Sequence, residues 1–284
     1  MNILITGTSS GFGRRAVETL AAKGHTVVAS MRGVSGKNAE AAESIEGWSK
    51  DSSAKVFVVE LDVADSASVK KGVAEAIDKA SGLDVVVNNA GIVNMGVQEA
   101  FSIEQAKQVF DVNTFGPMRV TNAVLPHLRE KKAGLIINIS SVVAQFAFPY
   151  MGIYCASKAA LEALSDDYNA TLQGSGVESV VLEPGAYPTE IYGKINQADN
   201  ADEVMPGYPG AAETMEGMGK GFQTLFETKK PDPQDVVDGL VELIELPAGK
   251  RPARTVVDSI SGQLVESHIE AKNKKYGEFM AMYA

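Results

Sequence analysis

Tyr154 and Lys158 stand four residues apart in Tyr154-Cys155-Ala156-Ser157-Lys158, an alanine-rich context that predicts a helix. At that spacing a phenol and an ammonium share one helix face. An ammonium beside a phenol favours phenolate. The pair therefore predicts a tyrosine whose pKa falls towards working pH and which exchanges a proton with a carbonyl or carbinol oxygen. By itself this is also the pattern of a surface tyrosine beside a solvated lysine, so residues elsewhere have to decide.

The first of these lie near residue 1. Asn2-Ile3-Leu4-Ile5-Thr6 reads as a short apolar strand that runs into Gly7-Thr8-Ser9-Ser10-Gly11-Phe12-Gly13, and a periodic segment over 14–23 follows. Strand, glycine-rich turn and helix form a phosphate site. The glycines let the backbone approach a pyrophosphate, and the helix N-terminus offers unpaired N–H groups. The glycine spacing is G-x-x-x-G-x-G rather than the more usual G-x-G-x-x-G.

With these motifs the chain resembles the short-chain dehydrogenases/reductases over residues 2–189. Residues 6–13 match the family's cofactor loop, and Leu61-Asp62-Val63 falls where its members carry an aspartate that contacts adenine. Asn88-Asn89-Ala90-Gly91 is the next motif, followed by Asn113 in Asp111-Val112-Asn113-Thr114, then Ser140-Ser141 at a strand end. Pro184-Gly185 and Thr189 match the nicotinamide-side loop. The resemblance implies four catalytic residues: Asn113, Ser141, Tyr154 and Lys158. Ser141 is implied over Ser140 because the family's serine lies thirteen residues before the tyrosine. Lys158 is implied to hold the nicotinamide ribose and Asn113 a proton-relaying water. From its residue type alone, Asn113 also reads as an amide that bends a helix. The implied cofactor contacts are Gly7, Ser9, Ser10, Gly11, Phe12 and Gly13, then Asp62, Val63, Asn89, Ala90 and Gly91, then Pro184, Gly185 and Thr189, with Tyr154 and Lys158.

The elements that must position these residues are legible as apolar runs at 3–6, 26–30, 55–62, 84–88, 135–140 and 178–182, alternating with helical segments. That rhythm predicts βαβ units in a parallel sheet. Val85-Val86-Val87 and Ile136-Ile137 are continuously apolar, as in central strands covered on both faces. The expected fold is α/β: one Rossmann-type NAD(P)-binding domain over 1–284, a doubly wound parallel sheet with a substrate lid at about 190–230. A helix near 233–246 and a strand at 255–258 complete the sheet. Gly7, Asp62, Asn89, Ser141 and Gly185 fall at or just after strand ends, where such sheets bind ligands. Residues 33–54 read as a helix and loop near the adenosine side. Residues 190–230 read as a long loop, and Met205, Tyr208, Met215, Met218, Phe222 and Phe226 either line an adaptable apolar pocket for a bulky carbonyl compound or pack the lid onto the body.

The second strand ends Ala29-Ser30-Met31-Arg32. An NAD site wants Asp or Glu there for the ribose 2′-hydroxyl, whereas a guanidinium pairs with a 2′-phosphate. Arg32, with the Ser10 hydroxyl, points to NADP(H) rather than NAD(H).

The chain has 284 residues, is 45% hydrophobic and 22% charged, and carries a formal charge of −10. That balance argues against nucleic acid or an anionic membrane as partner. No run approaches the roughly 20 apolar residues of a membrane span, and residues 1–2 lead straight into a core strand, so a cytoplasmic protein is expected. Cys155 is the one cysteine, which excludes an internal disulfide and a cysteine metal site. His25, His127 and His268 stand apart from every motif and read as structural or exposed. The expected function is an NADP(H)-dependent interconversion of a carbonyl and an alcohol, with no metal and no partner beyond its own copies in a homodimer or homotetramer. A non-catalytic NADP(H) sensor, or an epimerase or dehydratase on the same fold, is the alternative.

Overall fold

In the computed structural model, which describes residues 1–283, seven strands form one parallel sheet. Along the chain they are β1 (Asn2–Thr6), β2 (Thr26–Met31), β3 (Val56–Glu60), β4 (Val85–Asn88), β5 (Gly134–Ile139), β6 (Val177–Pro184) and β7 (Arg254–Val257). Their order in space is β3-β2-β1-β4-β5-β6-β7. The winding reverses between β1 and β4, and at such a switch point the carboxyl ends of an α/β sheet open a crevice.

The helices are α1 (Gly11–Ala22), α2 (Ala39–Ser52), α3 (Ser66–Ala80), α4 (Ile103–Phe110), α5 (Gly116–Lys131) and α6 (Gly152–Thr171). After β6 come α7 (Ala201–Val204), α8 (Ala211–Lys229), α9 (Pro233–Glu245) and α10 (Gly262–Met280). Successive strand residues point to opposite faces. Ile3 and Ile5 therefore join Val17 and Leu20 of α1 and Leu240 and Ile244 of α9 in one core. Leu4 joins Val73 of α3 and Val124 and Leu128 of α5 in the other. Each fully buried Leu or Ile contributes roughly 1.5–3 kcal/mol. Two-sided cover is why these strands carry no apolar–polar alternation in the sequence.

Between α4 and α5 the helix widens into one turn of π-helix, Asp111–Phe115, and Asn113 sits in it. The bend expected at Asn113 takes this form. Asn113 Oδ1 accepts from Ile92 N–H at 2.9 Å, and its Nδ2 donates to Ile92 O at 2.9 Å and to Ser157 Oγ at 3.1 Å.

Residues 190–230 differ from the loop expected. They hold a short 3-10 turn, Tyr192–Lys194, then α7 and the five-turn α8. Gly217, Gly219 and Gly221 hide the helical signal of α8 in the sequence, because each lowers helix propensity. A Lys220–Glu216 pair at 2.6 Å and a Gln223–Glu227 bond at 3.2 Å, both one turn apart, work in its favour.

Candidate active site

β1 delivers the glycine loop to the crevice. Thr6 Oγ1 accepts the N–H groups of Asn89 and Ala90, each at 3.0 Å, and so ties the ends of β1 and β4 together. The approach is close: Gly7 has φ +71°, and a Cβ there would lie 2.7 Å from Ala90 Cα. At Gly13 a Cβ would lie 2.4 Å from Gly7 O and 2.5 Å from Asn89 Nδ2. Gly13 is thus buried packing beneath the loop rather than wall. Ser10 precedes α1 without capping it by its side chain, and no acidic residue occupies the first turn. A helix N-terminus that no neighbouring side chain in the loop caps, under a backbone cradle, fits a pyrophosphate.

From this loop a cleft of about 1860 Å³ extends along the carboxyl ends of the strands. Pockets for one small ligand are commonly about 300–1,000 Å³, so this one has room for a dinucleotide and a second molecule. Ser9, Ser10, Gly11 and Phe12 line one end, beside Arg32, Asp62 and Val63. Asn89, Ala90 and Gly91 form the floor after β4, and Pro184, Gly185 and Thr189 the wall after β6. Asn113 lies behind the floor, against Gly91 and Ile92, and is fully buried.

The lid reaches onto the glycine loop. Gly11 N–H donates to Glu190 Oε2 at 2.9 Å, and Lys194 Nζ donates to Ser10 Oγ at 2.8 Å. Neither lid residue carries a sequence motif. At the end of the cleft beside β2 and β3, Arg32 is half exposed, with Nη1 4.0 Å from Asp62 Oδ2, and Lys37 lines the cleft beside it. Glu60, at the end of β3, accepts the N–H groups of Gly33 at 2.6 Å and Val34 at 2.8 Å, so its carboxylate is committed to that turn.

Ser141, Tyr154 and Lys158 meet on the wall between β5 and α6. Ser141 is buried, with its Oγ 3.4 Å from Pro184 O, and its hydroxyl stands near enough to that of Tyr154 to favour the phenolate. Lys158, also buried, donates to Ile139 O at 2.8 Å and holds its Nζ 5.9 Å from the centre of the Tyr154 ring. Burial pushes Tyr154 well above the usual phenol value, and the Ser141 hydroxyl only partly opposes this. Burial pushes Lys158 down to about 8, against the pull of Glu162. The expectation of a phenol drawn towards neutrality is corrected here. The desolvation cost of a phenolate outweighs an ammonium that is itself engaged with Ile139, so Tyr154 keeps its proton at neutral pH.

Beyond Tyr154 the cleft is aromatic. Phe222 packs on Phe148 at 5.6 Å and on Tyr192 at 5.9 Å, and Tyr192 meets Phe226 edge-on at 5.5 Å. Of the six lid residues expected at a pocket, Phe222 and Phe226 line it; Met205, Tyr208, Met215 and Met218 do not. Met215 is seven residues before Phe222 on α8, about 10 Å away along the axis. Tyr208 turns away to donate to Glu99 Oε2 at 2.6 Å. His268 of α10, read as remote from every motif, stands at the rim with its ring 4.7 Å from that of Phe146.

The sequence pattern of the short chain dehydrogenase family matches residues 1–200. The chain belongs to the short-chain dehydrogenase family. It is 33% identical to retinol dehydrogenase 8 of Homo sapiens over 85% of this chain and 77% of that one. It is 34% identical to 3-ketodihydrosphingosine reductase of Bacteroides thetaiotaomicron over 66% of this chain and 64% of that one. Several curated relatives are longer than the match and are covered over only 58–66% of their length. Among solved structures, a short-chain dehydrogenase from Streptomyces avermitilis superposes with a TM-score of 0.79 at 27% identity, covering 99% of this chain and 97% of that one. Neighbours that share the short-chain dehydrogenase fold at 23–24% identity hold a 5-hydroxy-NADP, an NADH or an NAD. Dinucleotides with and without a 2′-phosphate both occur among these neighbours. Among the described residues no helix is long and apolar enough to cross a membrane, and no cluster of His, Cys, Asp and Glu offers a metal site.

Proposed function

We propose that this short-chain dehydrogenase is an NADP(H)-dependent oxidoreductase that interconverts a bulky, apolar ketone or aldehyde and the corresponding alcohol. The observation that carries the reading is that Ser141, Tyr154 and Lys158 line the wall of a cleft that also contains the glycine loop at the start of α1. Arg32 and Lys37 at the adenosine end, with Glu60 engaged elsewhere, favour a 2′-phosphate over a free 2′-hydroxyl. The aromatic surface of Phe148, Tyr192, Phe222 and Phe226 suits a large apolar substrate body.

The nicotinamide, when bound, supplies or accepts the hydride. The chain's residues handle the oxygen. Ser141 holds it by a hydrogen bond, and Tyr154, protonated at neutral pH, passes it a proton as negative charge develops. Lys158 carries its charge below about pH 8 and stabilises the phenolate left behind. Asn113 fixes the Ile92 backbone and Ser157 next to Lys158, so its part is to hold this wall in place.

The test is NADPH and NADH oxidation against small, bulky and steroidal ketones and aldehydes. Turnover with NADPH preferred is expected. Tyr154→Phe is expected to lower kcat by about 10²- to 10⁴-fold while NADPH binding persists. Substantial residual turnover in that variant refutes the acid/base role.

A further inference from the structure

Directly behind Ser141 lies a buried carboxyl pair that the mechanism above does not use. Glu162 is 3% exposed and Glu183 0%, one on α6 and the other on β6. Glu162 Oε1 accepts from Ser140 Oγ at 2.8 Å. Gln145 Nε2 donates to both acids, to Glu162 Oε2 at 2.6 Å and to Glu183 Oε1 at 3.1 Å. Arg254 Nε lies 3.2 Å from Glu162 Oε2 and 3.5 Å from Glu183 Oε1, while its Nη2 donates to Asp166 Oδ2 at 2.6 Å. One guanidinium thus faces three carboxyl groups. Lys158, one turn before Glu162, is hydrogen-bonded to Ile139 O and reaches Glu162 only as a through-space charge, and Lys272 of α10 is bonded to Gln145 Oε1 at 3.3 Å.

We propose that Glu162 and Glu183 share a single proton, and that this hydrogen-bonded acid pair is the positioning device that holds Ser141 against Tyr154. With both carboxyls ionised, a guanidinium already shared with Asp166 would have to offset two buried charges, helped only by Lys158 at a distance, which is costly. A neutral carboxyl on Glu183 also accounts for its Oε2, which is buried and has no hydrogen-bond partner among the described residues. Burial, reinforced by the Glu162 charge, pushes Glu183 up to about 8. The pair grips the site from both sides. Glu162 holds Ser140, the residue before Ser141, and Glu183 precedes Pro184, whose carbonyl faces Ser141 Oγ. Loss of the shared proton sets two like charges against each other behind the serine and loosens it. Glu162 and Glu183 touch neither substrate nor cofactor, so they act through Ser141 as positioning residues.

The functional half of this inference rests on the oxidoreductase reading; the shared proton does not, and the experiment separates them. Carboxyl 13C NMR of the full chain labelled at glutamate, titrated from pH 5 to 10, is expected to show one carboxyl that keeps its proton through neutral pH. That signal is expected to disappear in Glu183→Gln. Both acids ionised at pH 7 overturns the proposal whether or not any substrate is turned over. In turnover, Glu183→Leu is expected to lose about tenfold or more in kcat with NADPH affinity kept, because a misaligned serine slows the step without loosening the dinucleotide. Glu183→Gln, which keeps a neutral hydrogen-bonding group, is expected to retain more kcat than Glu183→Leu and to lose the part of the alkaline decline that belongs to the pair. Equal kcat in the two variants, or an unchanged pH profile in Glu183→Gln, refutes the positioning role.

Discussion

Glu190 accepts a hydrogen bond from the Gly11 N–H at 2.9 Å, which sets a lid carboxylate on the N-terminus of α1. Lys194, four residues on, is bonded to Ser10 in the same loop. The lid thereby places one anion and one cation where a dinucleotide's phosphates are to lie. On the proposed cofactor site, dinucleotide binding is expected to displace the carboxylate and so to couple to lid position.

Replacing Glu190 by glutamine removes the competing anion while keeping the side chain's shape. A negative charge at a helix N-terminus is worth roughly 0.3–1 kcal/mol and more when partly buried. Glu190→Gln is therefore expected to tighten NADPH binding about threefold or more, read from NADPH fluorescence on titration. Unchanged or weaker binding would show that the carboxylate leaves the loop without cost.

Arg32 is expected to discriminate between the two dinucleotides. A hydrogen bond to a charged group contributes about 1.5–3 kcal/mol, so Arg32→Ala should weaken NADPH binding by about 10- to 100-fold. NADH binding should change little. An equal loss for both would mean that Arg32 stacks on the adenine and that the NADP(H) assignment fails.

The stability of the fold should carry the signature of Lys158. Its pKa is lowered from 10.5 to about 8 by burial, so below about pH 8 both folded and unfolded chains hold the proton and the buried ammonium weighs fully on the fold. Between about pH 8 and 10.5 the unfolded chain binds more protons than the folded one, and the contribution of this group to stability rises with pH. Thermal unfolding of wild type and Lys158→Met across this range should show the variant's relative advantage shrinking as pH rises. A pH-independent difference would mean that folding leaves the lysine pKa unchanged.

Phe222 stands at the centre of the aromatic surface and should govern substrate size. Phe222→Ala is expected to raise KM for bulky ketones about tenfold, the equivalent of 1.4 kcal/mol of lost apolar contact, and to leave small ketones nearly unaffected. A uniform effect on both classes would place the substrate elsewhere in the cleft.

The strands and the Ser141, Tyr154 and Lys158 set were readable because their signals are local: apolar runs, a glycine turn and one helical spacing. β6 shows where local signals stop. It runs to Pro184, two residues beyond the apolar run, because Glu183 is matched by Arg254 of β7, far along the chain. The Gly11–Glu190 bond spans 179 positions and has no pattern to announce it. The Tyr154 pKa was misjudged for a related reason. Helical spacing reports the neighbour at Lys158, but not the burial that opposes it nor the Ile139 carbonyl that claims the ammonium. In α8, three glycines concealed a helix whose register became visible only once packed.

The wide turn at Asp111–Phe115 has a consequence for chain length itself. A π turn holds one residue more than the α turn it replaces, so deleting one of these five residues would let the helix close to regular bonding with α4 and α5 still in line. Val109 would then keep its cluster with Phe101 and Ile153. What the shortening would cost is the aim of Asn113 at Ile92 and Ser157. The extra residue at this point in the chain serves the site rather than the fold.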